Sequence, residues 1–243
     1  MNEHPILFST PMVQAILDGR KTMTRRMTDL EVINKMPSGW KPVTILFGKI
    51  KNVFKNVFRF ESIKSGFISD RYCRYGQPGD VLWVREKFAC TIGQFDPETT
   101  LSYFADSFHW SFYPGHNMHG KSSCQWHDED IAKEVKWKPS IHMFKDYARI
   151  WLQVEEIRVE RLHDISEEDA KAEGIMPYYD EMVSGMRFTH QNGQLSNSFT
   201  AKEEFEKLWC KINGRESWEA NPWVWVVEYK VLSTIGKPKT EPG

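Results

Sequence analysis

The segment Gly19-Arg20-Lys21-Thr22-Met23-Thr24-Arg25-Arg26 sets four cationic side chains and two hydroxyls within eight consecutive residues. A guanidinium offers forked donors to phosphates or to base and carbonyl oxygens, and a lysine can also exchange a proton if its surroundings lower its pKa. A threonine hydroxyl is a poor nucleophile at neutral pH and needs a base within hydrogen-bond reach. Lys21 could be that base for Thr24, with desolvation or Arg20, Arg25 and Arg26 depressing its pKa. Strict extended alternation would send Lys21 and Met23 to one face and Thr22 and Thr24 to the other, whereas a turn would bring Lys21 and Thr24 together. A solvated basic loop is the alternative reading of the same residues.

These side chains need elements to position them. In Ser9-Thr10-Pro11-Met12-Val13-Gln14-Ala15-Ile16-Leu17-Asp18-Gly19, Thr10 is the expected helix cap, Pro11 suits the first turn, and Gly19 can take the left-handed closing conformation. Met12, Val13, Ile16 and Leu17 form the buried stripe, and the chain then displays its cations immediately after the helix ends. Residues 5–8 read as a strand, and 35–76 as an irregular, basic and aromatic region. After the turn signal Gln77-Pro78-Gly79-Asp80, residues 81–88 read as a buried strand, and residues 101–105 as another. Residues 148–161 alternate apolar and charged over a long strand. Ser166 caps an acidic helix closed by Gly174, and Thr200 caps a second helix with Phe205, Leu208, Trp209 and Ile212 as its stripe. Residues 222–231 form the last strand. Strands and helices do not alternate as repeats, so a mixed α+β domain with a curled sheet or small barrel is expected.

At 243 residues the chain fits one elaborated domain or two small ones. Ten Trp, fifteen Phe and eight Tyr argue for a folded core and leave aromatics to spare for stacking bases. The formal net charge of -1 hides an asymmetry, because residues 1–88 carry 15 Lys plus Arg against 8 Asp plus Glu. A nucleic-acid or nucleotide contact is therefore expected on the N-terminal part. No apolar run is long enough to span a bilayer and the N-terminus lacks signal-peptide character, which predicts a cytoplasmic protein without membrane contact. Cys73, Cys90, Cys124 and Cys210 form no CxxC pair, in keeping with a reducing compartment. His116, His119, Cys124 and His127 could hold a tetrahedral zinc, yet their spacing matches no named metal motif; a histidine-rich polar loop is the preferred reading, and no metal or cofactor is expected.

Taken in order, several motifs resemble a family. Ile6-Leu7-Phe8-Ser9 with the basic octapeptide, Pro78-Gly79-Asp80-Val81-Leu82-Trp83-Val84-Arg85-Glu86, Trp137-Lys138-Pro139-Ser140-Ile141-His142-Met143, residues 165–175, and Asn221-Pro222-Trp223-Val224-Trp225-Val226 look like the ASCH domain proteins common in bacteriophages and prophages. The resemblance spans most of the chain. It implies a PUA-like fold, a small mixed β-barrel with flanking helices, over residues 1–235, with insertions at about 35–76 and 107–136 and a polar tail at 236–243. It also implies a phage- or prophage-encoded protein acting in a bacterial cell, on a nucleoside, modified base or RNA. Small bacterial members that hydrolyse N4-acetylcytidine have a first motif similar to this octapeptide. Their proposed catalytic lysine and threonine fall on Lys21 and Thr24, the glutamate of the triad on Glu173, and the arginine on Arg26. Phage relatives usually follow the His-Met pair with Pro-Arg, where this chain has Phe144-Lys145.

Three functional classes follow. The first is an amidohydrolase that deacylates a nucleoside or base through Lys21, Thr24 and Glu173, with Arg20, Arg25, Arg26, Glu86, His142 and Arg149 as substrate contacts. In that chemistry Glu173 orients the lysine or relays its proton, and Arg26 or backbone amides stabilise the oxyanion. The second is a reader domain that binds RNA or a modified base without cutting. The third is a metal-dependent ribonuclease.

Overall fold

The computed structural model describes residues 1–50, 53–92, 99–103, 108–112, 122–125, 136–190 and 196–238. Its centre is a five-stranded mixed sheet. Strand β1 (Glu3–Leu7) runs parallel to β6 (Val81–Arg85), and β11 (Trp151–Arg161) pairs antiparallel with both β6 and β14 (Trp223–Ser233). The short β2 (Met23–Arg26) pairs with the outer side of β14, with Thr24 opposite Val227.

Strand β14 is buried on both faces, which explains its nearly continuous apolar run from Trp223 to Val227. Trp225, Val227 and Tyr229 join one core with Phe8, Val13 and Ile16, so the first helix, α1 (Thr10–Leu17), lies on this side. Val224 and Val226 join a second core with Met23, Ile165, Ala170, Phe205 and Trp209. That core is covered by α3 (Glu167–Ala172) and α4 (Ala201–Asn213). The helix α2 (Glu31–Asn34) contributes Ile33 to the first core, and α5 (Arg215–Glu219) follows α4.

Several sequence expectations need correction. Residues 35–76 are not irregular: β3 (Trp40–Ile50), β4 (Val53–Ser62) and β5 (Ile68–Arg71) form an antiparallel sheet. Phe58 and Phe60 of β4 meet Trp225 and Trp223 edge-on at 4.8 and 5.6 Å between ring centres, which removes both tryptophans from any stacking platform. Ser9, not Thr10, occupies the N-cap of α1, and its hydroxyl makes no capping bond. Strands β7 (Phe88–Ile92), β8 (Thr99–Tyr103), β9 (Phe108–Phe112) and β10 (Ser122–Gln125) form a separate antiparallel meander. The strand expected at 81–88 therefore splits into β6 and β7. A hairpin of β12 (Met176–Asp180) and β13 (Gly185–Thr189) links α3 to α4.

The mixed α+β class is as expected. No backbone ladder closes the central sheet into a barrel among the described residues, and β1 and β2 remain its two edges. A flat sheet would hold these edges about 19 Å apart, four spacings of roughly 4.8 Å. Yet the Arg26 guanidinium on β2 donates to the carbonyl of Leu7 on β1 at 2.8 Å. The sheet is therefore strongly curled, with Arg26 bridging the gap.

Candidate functional site

The site begins where α1 ends. Asp18 caps the helix, Gly19 takes φ +72°, and the amides of Arg20 and Lys21 both donate back to the carbonyl of Ala15 at 2.9 Å. This tight exit turns Lys21 inward and delivers the chain to β2. The expectation that the octapeptide displays its cations to solvent fails at Lys21 and Arg25, which are both buried because carboxylates await them.

The principal carboxylate comes from α3. The Ser166 hydroxyl accepts from the amide of Asp169 at 3.0 Å, three acidic residues occupy the first turn, and Glu173 is the C-cap. Gly174 follows at φ +101°, and a Cβ there would lie 3.0 Å from the Ala15 Cβ and 3.4 Å from the Lys21 Cβ. The glycine thus lets the α3 exit press against the α1 exit. Thr22 donates its amide to the Ala172 carbonyl at 2.9 Å, and Lys21 and Glu173 form an isolated backbone bridge along the edge of β2.

Lys21 has no exposed surface. Its Nζ donates to Glu173 Oε2 at 2.6 Å and to the Glu173 carbonyl at 2.8 Å. Burial lowers its pKa most, the Glu173 carboxylate opposes that, and Arg26 and Arg25 push the same way as burial; the net direction is down. Lys21 Nζ stands 5.8 Å from the centre of the Phe8 ring, and the Arg26 guanidinium carbon stands 5.2 Å from it. Thr24 and Arg26, two apart on β2, project to one face, and the Arg26 guanidinium shares the Phe8 ring with the Lys21 amine. Thr24 is itself buried.

The other cations have partners. Arg25 projects to the opposite face, where Nη2 reaches Asp169 Oδ2 at 2.6 Å and Glu160 Oε2 at 3.2 Å, while Nη1 lies 3.6 Å from Glu173 Oε1. Arg20 pairs with Asp18 at 2.8 Å and donates to the Gly174 carbonyl at 2.9 Å. Glu86 and Arg149 pair with each other through two bonds, 3.0 and 2.9 Å, and both are buried. His142 is exposed on a short 3-10 turn, and Lys145 pairs with Glu3. The structure therefore gathers Lys21, Thr24, Arg25, Arg26 and Glu173 around the edge strand, while Glu86 and Arg149 satisfy one another. Of the histidine and cysteine cluster, His116, His119 and His127 lie outside the described residues and Cys124 is described only as backbone of β10. Among the described residues no group of His, Cys, Asp and Glu is placed to hold a metal ion, and no helix is long and apolar enough to cross a membrane.

Sequence reasoning missed Tyr229. It is buried beside Phe8, with 6.2 Å between ring centres, and its hydroxyl has no hydrogen-bond partner among the described residues. Burial, and then the Glu173 carboxylate, hold the phenol pKa well above its ordinary value, so it keeps its proton. The signal was present, since Tyr229 shares the inward alternation of Trp225 and Val227. Arg26 Nε is a second buried donor without a partner among the described residues. Together these groups form a buried cluster holding an amine, a carboxylate, a hydroxyl and two donors without partners among the described residues. Compared with family models, with characterised protein sequences and with solved structures, the chain matches none of them.

Proposed function

We propose that this chain is an ASCH-type, PUA-like domain that hydrolyses the amide of an N4-acylated cytidine or a closely similar nucleoside. The observation that carries the reading is the buried hydrogen bond of 2.6 Å between Lys21 Nζ and Glu173 Oε2, beside the edge strand that carries Thr24. A base must hold a lone pair. Passing one proton along this bond to Glu173 leaves Lys21 as a neutral amine, a step that its burial favours.

Thr24 Oγ1 then attacks the acyl carbon while Lys21 takes the hydroxyl proton. The oxyanion is met by Arg26 Nε or by the Tyr229 phenol, two of the buried donors without partners among the described residues. Collapse breaks the C–N bond, and the departing exocyclic amine takes its proton from Lys21. Water, deprotonated by Lys21, next cleaves the threonyl ester and releases a carboxylic acid. The sum is amide plus water to amine plus acid.

The test is incubation of purified protein with N4-acetylcytidine, following cytidine by chromatography. Wild type should produce cytidine, and Thr24→Val and Lys21→Met should reduce the rate by at least about a hundredfold. No cytidine from wild type would end this substrate assignment. Salt-sensitive RNA binding without turnover would favour a reader, and RNA cleavage that requires a divalent metal would favour a nuclease. The reader has less support, because Arg25 and Arg149 are already paired with carboxylates.

A further inference from the structure

Strand β5 is the last strand of the sheet it forms with β3 and β4, and its outer side pairs with no strand among the described residues. The register fixes which backbone groups it offers there. The Ser62 amide donates to the Phe67 carbonyl at 2.8 Å, so Phe67 bonds toward β4, and by alternation Ser69 and Arg71 do the same. Ile68 and Asp70 therefore turn their amides and carbonyls outward, and both residues are exposed. An open edge of this kind is a template for one more strand.

The usual protections of such an edge are weak here. Asp70, the charge that could repel an incoming strand, is held by Arg59 through two bonds of 2.8 Å. Arg71 donates from Nη1 to the Asp70 carbonyl at 3.1 Å, and its buried Nε has no hydrogen-bond partner among the described residues. Beside the strand lies an apolar patch. Met36, Ile63 and Phe67 are 66%, 62% and 65% exposed, and Phe67 meets Trp40 edge-on at 6.4 Å. The Ile63 amide bonds the Gly39 carbonyl at 2.9 Å, and a Cβ on Gly39 would lie 3.2 Å from the Met36 sulfur, so these side chains form one surface. Contiguous apolar surface of this kind marks an interaction site.

We propose that β5 is the interface of a homodimer, in which two copies pair antiparallel, edge to edge, and join their sheets into one. The occupant follows from the match of the strand to itself. A two-fold axis must set outward-bonding residues opposite one another, so it passes at Ile68, Ser69 or Asp70. At Asp70 it would oppose two carboxylates, and at Ile68 it would oppose Asp70 to Gly66, outside the strand. At Ser69 it sets Ile68 of each copy against the partner's Asp70 and makes four backbone hydrogen bonds. The Asp70 carbonyl has a second lone pair for the partner's Ile68 amide while it accepts from Arg71. The same register places Phe67 opposite the partner's Arg71, a guanidinium against an exposed ring. A stable interface needs about 800 Å² from each partner, more than four strand residues supply, and the Met36, Ile63 and Phe67 patch adds to it. The inference is independent of the chemistry at Lys21.

The experiment is sedimentation equilibrium of the full-length protein from about 1 to 100 μM, where the mass should rise toward twice that of the chain. Ile68→Pro removes an amide that bonds nothing within its own sheet, so it should leave the circular dichroism unchanged and weaken the dimer at least about tenfold. Ser69→Cys tests the register separately. On the axis the two Cys side chains form a non-hydrogen-bonded pair with Cα atoms about 4.5 Å apart, within reach of a disulfide. Oxidation with diamide should therefore give a covalent dimer that wild type, with its own four Cys, does not form. This variant keeps the test decisive if Ile68→Pro does not fold. A chain that stays monomeric at about 100 μM would overturn the proposal. So would a folded Ile68→Pro variant that dimerises as tightly as wild type, or a Ser69→Cys variant that does not cross-link.

Discussion

Glu173→Gln is the most informative single perturbation, because it removes the charge facing Lys21 while keeping shape. Breaking a buried ion pair from one side costs about 3–5 kcal/mol. The Glu173 carbonyl, 2.8 Å from Nζ, still accepts in the variant, but Arg25 and Arg26 continue to repel the ammonium. Lys21 can escape by releasing its proton, and this sets a ceiling. From pH 7 to the ordinary lysine value of about 10.4, at about 1.4 kcal/mol per pH unit, that release costs about 5 kcal/mol. A folded state with neutral Lys21 binds fewer protons than the unfolded chain, so the stability of the variant rises with pH until the unfolded lysine also titrates. Wild type has a weaker form of this dependence, since Glu173 counteracts burial there. Urea unfolding followed by tryptophan fluorescence at pH 7, 8 and 9 should show a deficit of about 3–5 kcal/mol at pH 7 that shrinks by about 1 kcal/mol or more per pH unit. A deficit under about 1 kcal/mol at pH 7, or one that stays constant to pH 9, would refute the assignment of Lys21 as a charge held in the interior by Glu173.

Other outcomes follow from the same structure. Thr200→Ala should cost about 1 kcal/mol in urea unfolding, because the Thr200 hydroxyl accepts from the Glu203 amide at 3.1 Å at the start of α4. Burial alone would raise the Glu204 carboxyl, but the bonds from His190, Ser196 and Ser198 hold it at about 2. Glu204 therefore stabilises the fold fully above the ordinary glutamate range; this contribution fades as pH falls toward 2, so the gap between wild type and Glu204→Gln should narrow from pH 5 to pH 2. Burial pushes the Cys73 thiol up to about 12, so iodoacetamide at pH 8 should leave Cys73 unlabelled in native protein and label it in urea, read peptide by peptide by mass spectrometry.

What could be read from the sequence was local. Ser166 and Thr200 announce their helices because cap and first turn lie within four residues, and both hydroxyls make their capping bonds. Ser9 and Thr10 carry the same chemistry side by side, and Pro11 fits either register, so the cap was misplaced by one residue. Strand β4 was hidden because Lys55, Asn56 and Arg59 interrupt its aromatic positions, and its pairing with β3 and β5 is a tertiary choice. Arg25 looked available because its partners Glu160 and Asp169 lie 135 and 144 residues away. Glu204 resembled its exposed helical neighbours, and only the return of β13 beside α4 reveals it as the anchor of His190.

The Arg26 bridge bears on the order of assembly. Leu7 and Arg26 are 19 residues apart, so the contact across the sheet opening closes one short loop through α1. The wall between them is made from remote pieces, β6 with β11 and β11 with β14. Loop-closure entropy grows with the length of chain enclosed, so the β1-α1-β2 clamp is the cheaper nucleus and the strands of the wall must be captured later. Chain collapse would then begin at the mouth of the curl, with Phe8 and Lys21 already neighbours before Glu173 arrives.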